Sequence, residues 1–137
     1  MLKSWRYSLA IGALMASAAA PGLALAHHSY AAFDPSKTVV ISGTVMTWEW
    51  TNPHSHMQVI VLGEKGDQQV WDLEMSSPNI LRNSGWARDS LKQGDRVTVV
   101  LHPRRDGFLG GTPVTVTTAD GRVLGKAGPA EAGVERK

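Results

Sequence analysis

"QQVWDLEMSSPNILRNSGW", residues 68–86, changes its period halfway along. From Gln68 to Met75 the polarity alternates. Trp71, Leu73 and Met75 fall on one side and Asp72 and Glu74 on the other, the two-residue period of a half-buried strand. At Ser76 the alternation stops. Ser76 and Ser77 stand where helix caps stand, Pro78 suits a first helical turn, Ile80 and Leu81 follow, and Gly85 is a terminator. A strand followed by a short helix is therefore expected here.

Working outward, "TVVISGTVMTWEW" (38–50) is rich in β-branched and aromatic residues. It reads as a long strand with Val39, Ile41 and Val45 on one face and Gly43 as a bulge or bend. "HMQVIVL" (56–62) is a second strand, joined to the third by the hairpin-like turn "GEKGD" (63–67). Beyond the helix, "LKQGDRVTVVLH" (91–102) is a turn and then a strand. "TPVTVTTADGRVL" (112–124) is a final strand with a hairpin-like end at Asp120-Gly121. Three strands, a short helix and two more strands is the order of an OB-fold. The expected class is thus all-β: a five-stranded Greek-key barrel with its helix between strands three and four.

The ends of the chain read differently. Lys3 and Arg6 precede an apolar run from Leu9 to Ala20, which Pro21 and Gly22 break before Ala24-Leu25-Ala26. A positive start, a short apolar core and small residues three and one before a cut describe a secretory signal peptide over residues 1–26. A membrane anchor would need roughly 20 unbroken apolar residues. The mature chain is then expected in the periplasm or outside the cell, with no membrane span. Lys3 and Arg6 leave with the signal, so 14 basic residues fall to 12 and balance the 12 acidic ones. That removes the basic footprint a nucleic-acid partner requires. With no cysteine, no disulfide can staple the exported chain, and its core must hold it. Residues 27–124 are long enough for one domain, and the tail 125–137 has no apolar periodicity and reads as disordered.

The segments "AHHSYAAFD", "GTVMTWEWTNPH", "WDLEMSSPNILRNSGW" and "DSLKQGDRVTV", in that order, resemble a family of small exported bacterial proteins catalogued as a domain of unknown function. The resemblance runs from about His27 to Leu124. It implies an exported single domain and brings no activity, cofactor or catalytic residue with it.

Four of the five histidines stand in two tight pairs: His27 with His28, and His54 with His56. A cut after Ala26 makes His27 the first residue, whose free α-amine and ring nitrogen can close a chelate, with His28 adding a nitrogen. A cut after Ala24 places His27 third from the amine, also a square-planar chelator. Nitrogen donors in a plane suit Cu(II), and an amine with a pKa near roughly 8 is readily displaced by a metal. In "TNPHSHMQV", residues i and i+2 of an extended segment point the same way, so His54 and His56 can serve one ion. Met57 points to the other face. Zinc would need further ligands, for which Glu49 and Glu74 could supply oxygens. His102, before Pro103, ends a strand.

Two functions follow. In the first, His27, His28, His54 and His56 bind copper, for storage, delivery to another periplasmic protein, or detoxification. In the second, Trp48, Trp50 and Trp71 form a stacking face for a small molecule, a sugar or a partner protein, with no metal. Catalysis has little behind it. "SSPN" lacks the Gly-flanked elbow of a nucleophilic serine, and "DGFLGG" (106–111) lacks the lysine of a phosphate loop. Geometry separates the two binding readings, because copper requires the N-terminal segment to fold back towards His54, with Tyr30 or Phe33 as its anchor.

Overall fold

The computed structural model describes residues 30–125. The expected signal peptide (residues 1–26), His27, His28 and all but the first residue of the expected tail (125–137) lie outside the described residues. The chain starts with a single 3₁₀ turn, Tyr30–Ala32, and then runs through β1 (Val39–Glu49), β2 (His56–Leu62) and β3 (Gln68–Glu74). A one-and-a-half-turn helix, α1 (Pro78–Asn83), follows, then β4 (Arg96–Pro103), β5 (Gly110–Thr118) and the two-residue β6 (Val123–Leu124). The segment read as one final strand is thus two. The chain reverses at Asp120-Gly121, and β6 pairs back onto β5 through Val116↔Leu124 and Thr117↔Val123.

β1 is long because it has two neighbours. Its first half, Val39–Thr44, pairs with β4, and its second half, Thr44–Glu49, pairs with β2, both antiparallel. β2 pairs antiparallel with β3, and β4 with β5. The circuit closes where β3 and β5 run parallel through Asp72↔Gly110 and Leu73↔Gly111. The result is a closed five-stranded barrel with strand order 1-2-3-5-4 plus the extra β6, the OB-type topology expected from the order of elements. Gly43 sits where β1 passes from one neighbour to the other. A Cβ there would collide with the Ile60 carbonyl oxygen and lie 2.7 Å from Val59 Cγ1. The register shift falls slightly later, between Val45 and Thr47. Gly43 therefore permits the close approach, and the residues after it carry the bulge.

The alternation predicted for the strands holds in the barrel. Ile41, Val45, Met57, Val59, Leu73, Val99, Leu101 and Val116 point inward and are buried. Each such side chain contributes about 1.5–3 kcal/mol by leaving water. α1 closes one end through Leu81 and, just after it, Trp86. Ser77 occupies the position before the helix, yet its hydroxyl makes no capping hydrogen bond. Pro78 in the first turn already lacks an N–H, so there is one donor fewer to satisfy. Gly85, at φ +84°, ends the helix. Among the described residues no helix is long and apolar enough to cross a membrane.

Candidate functional site

Strand pairing fixes which outward side chains meet. Glu49 lies opposite His56 on β2, and His56 lies opposite Glu74 on β3. Residues directly opposite in an antiparallel pair share a face, so Glu49, His56 and Glu74 form one row across three strands. The next outward row is Thr47, Gln58 and Asp72, and there Thr47 Oγ1 donates to Gln58 Oε1 at 3.3 Å. Ser55 and Met57, the residues between and after the two histidines, are fully buried. His54 and His56 are each partly buried. The i, i+2 pair is therefore on one outer face, and the Met57 thioether is inside the barrel.

The loop between β1 and β2 holds His54 by its backbone. Thr51 Oγ1 donates to the His54 carbonyl at 3.1 Å. The Ser55 N–H donates to the Ser76 carbonyl at 3.2 Å, and the Met75 N–H to the Ser55 carbonyl at 2.9 Å. The His54 ring then lies against β3, with Nδ1 2.7 Å from Glu74 Oε1 and both side chains about three-quarters buried. The approach is off the line of an ideal N–H···O bond: Oε1 is buried and receives no hydrogen bond of ordinary geometry. The short separation is the firmer observation, because the position of the imidazole proton is an assignment that follows from its neighbours.

Against the same ring lies the N-terminal segment. The Tyr30 ring centroid is 6.0 Å from that of His54, tilted by 49°, and its hydroxyl is 3.5 Å from Ser76 Oγ. The segment is held by backbone and by one buried ring. The Arg105 N–H donates to the Ala32 carbonyl at 2.8 Å and the Asp34 N–H to the Pro103 carbonyl at 2.9 Å. Phe33, 3% exposed, bridges to Arg104. Ser36, and then Arg105 at 3.7 Å, hold the Asp34 carboxyl below its ordinary pKa. The segment thus runs back to the His54 ring at Tyr30, with Phe33 as its buried anchor.

The β4–β5 loop borders this face. Arg104 and Asp106 form a forked ion pair, in which Nε donates to Oδ1 at 3.0 Å, and Oδ1 also accepts the Phe108 N–H at 3.1 Å. The pairing raises the Arg104 pKa and holds the Asp106 carboxyl below its ordinary value. Phe108 and Leu109 are exposed beyond it. With Val70, Asp72 and Arg104 they line a shallow cavity of about 440 Å³.

Among the described residues no three His, Asp or Glu side chains converge to hold a metal ion. The pair His54–Glu74 comes nearest, and a chelate here needs donors from elsewhere in the chain. His102 stands apart, its Nδ1 2.8 Å from the Lys37 carbonyl. The sequence pattern gave it no partner, because Lys37 is 65 residues away.

The three tryptophans are distributed otherwise. Trp48 stacks between Trp50 and Trp86, at centroid distances of 5.7 and 5.6 Å. Its Nε1 donates to the Arg88 carbonyl at 2.8 Å. Trp50 is 5% exposed, with the Arg82 guanidinium 5.6 Å above its ring. This cluster seals the helix end of the barrel, and Trp86 is its unforeseen member. Trp71 lies on β3, half-buried against the core, with its Nε1 buried and without a hydrogen-bond partner among the described residues.

Over residues 13–114 the sequence matches the family of unknown function DUF6152, and the chain belongs to that family. None of the curated proteins matches it.

Proposed function

We propose that this member of the DUF6152 family is an exported, periplasmic metal-binding protein whose ion is copper. Its donors are the mature N-terminus with His27 and His28, together with His54 and His56. The observation that carries the reading is Tyr30 packed on His54. Extended chain spans at most about 3.6 Å per residue. The Cα of the residue three before Tyr30 is therefore within roughly 11 Å of Tyr30, and that of the residue two before within roughly 7 Å. An arm pinned at Phe33 and laid on His54 leaves the face that carries the second histidine pair within the span that chain length allows its first residues.

The donor set argues for Cu(II) over the alternatives. It consists of imidazole and amine nitrogens with carboxylate oxygens at the edge, which suit Cu(II). Softer Cu(I) selects thiolate and thioether. The chain has no cysteine, and of the three methionines among the described residues Met57 and Met75 are fully buried in the core while Met46 on β1 is partly buried. The stacking-face reading has less support, since Trp50 is enclosed and Trp48 is stacked on both sides.

The test uses the exported protein, purified after processing from its full-length precursor. Intact mass fixes the cut, and Cu(II) titration follows on that material, on His54→Ala/His56→Ala, and on a variant with one extra N-terminal residue. The expected result is one-to-one binding that weakens in both variants. Loss only on extending the terminus reduces the site to a bare N-terminal chelate. No binding by the processed wild type ends the copper reading.

A further inference from the structure

The two nitrogens of His54 do not face the same surroundings. Nδ1 is 2.7 Å from Glu74 Oε1, and that oxygen is buried and, among the described residues, receives no hydrogen bond, the Nδ1 contact itself lying off the line of one. The nearest guanidinium in the loop alongside, that of Arg104, is engaged by Asp106. A buried carboxylate oxygen without a partner is costly, and the imidazole N–H is the donor within reach. A proton held on Nδ1 leaves the Nε2 lone pair as the only ligating nitrogen of the ring. In known metal sites a carboxylate that takes the far N–H of a ligating histidine fixes its tautomer and orientation and raises its basicity.

We infer that Glu74 is the positioning residue of the site, acting on the metal through His54 rather than ligating it. The inference rests on the copper reading above. It differs from the simpler expectation that Glu74 gives an oxygen directly, because Oε1 is buried and already lies 2.7 Å from Nδ1. The strand register adds a second reason for Glu74 to sit here. It lies opposite His56, so one carboxylate on β3 stands beside both members of the histidine pair, while Glu49 closes the row from β1.

The experiment is a double-mutant cycle on the processed, exported protein with Cu(II) as the probe. It is read at one fixed pH by competition titration and by the electron paramagnetic resonance spectrum of the bound ion. Glu74→Ala is expected to weaken binding about 10–100-fold, the range for loss of a supporting carboxylate. Glu74→Gln is expected to lie between, since its amide oxygen still accepts from Nδ1 without the charge. In the His54→Ala background, Glu74→Ala is expected to cause no further loss, because the group it acts through is gone. The imidazole nitrogen coupling in the spectrum is expected to change in Glu74→Ala and to match wild type more closely in Glu74→Gln. Unfolding midpoints of all variants accompany the titrations. Should Glu74→Ala fail to fold, the isosteric Glu74→Gln carries the same cycle.

Wild-type affinity in Glu74→Ala overturns the inference while the copper reading stands. Further loss in the double variant also overturns it and makes Glu74 a direct ligand. A wild type that does not bind copper ends both.

Discussion

The same three strands present two faces one residue apart. The inward row Trp48, Met57 and Leu73 runs across β1, β2 and β3, with Met57 and Leu73 fully buried. The outward row, Glu49, His56 and Glu74, runs beside it and is acidic, imidazole-bearing and partly wet. The contrast comes entirely from the two-residue period of a strand, since neighbours along the chain go to opposite sides. A slip of one residue in register would bury His56 and expose Met57. On the copper reading, register is thus a functional requirement as well as a structural one.

The sharpest way to break this comparison is to truncate neighbours. Met57→Ala is expected to cost about 2–5 kcal/mol of stability, the range for emptying a filled core position. Denaturant unfolding measures it, and copper stoichiometry per folded molecule should stay the same. His56→Ala, one residue away, should leave stability within about 0.5 kcal/mol and weaken copper binding instead. Matched losses in both assays for both variants would mean the faces are not separate. Gly43→Val tests what sets the register. Its side chain must push β1 away from Ile60 and is expected to cost about 1–3 kcal/mol, as overpacking does, again read by denaturant.

Phe33→Ala tests the arm. Phe33 is buried, yet it lies outside the cluster formed by the barrel core. Its loss should free the N-terminal segment while leaving the barrel closed. Re-ordering one freed residue on binding costs about 1–2 kcal/mol, so copper affinity should fall roughly tenfold with little change in the barrel's unfolding transition. The smallest effect concerns the loop beside the site. Asp106 has its pKa lowered in the fold, chiefly by its hydrogen bond from Arg104. Its contribution is therefore complete above the unfolded value of about 3.9 and is lost as pH falls through the lowered folded value. The Phe108 amide signal should move only in that acid window, while the amide of buried Val59 stays in place.

What the sequence made legible follows from how local each signal is. β2 matches the expected residues 56–62, because alternation and its bounding turns lie within a few residues. The order of elements led to the barrel because a helix placed after the third of five strands leaves few ways to pair them. The pairing of the two histidine-bearing positions on one face was also readable from spacing alone. His54 against Glu74 was not, since that contact depends on how β3 and the β1–β2 loop meet in space. Tyr30 on Ser76 spans 46 residues, so the arm could be posed only as a condition. Trp86 stands just past the expected terminator Gly85, where local pattern gives it no role. Its role in sealing the barrel follows from where that helix docks.

The closure of the barrel has its own consequence. β3 and β5 meet through two residue pairs, and both β5 members are glycines whose Cβ would strike a carbonyl oxygen, that of Asp72 or of His102. β5 brings no side chains to this seam, and its two pairs are the fewest of any pairing that closes the barrel. Mechanical or thermal strain is expected to be released there first, by parting β3 from β5 while the β1–β2–β3 layer stays paired. The Asp72 amide, bonded across the seam to the Leu109 carbonyl, should exchange with solvent ahead of the Val59 amide. The layer that carries His56 and Glu74 would then outlast the ring it belongs to.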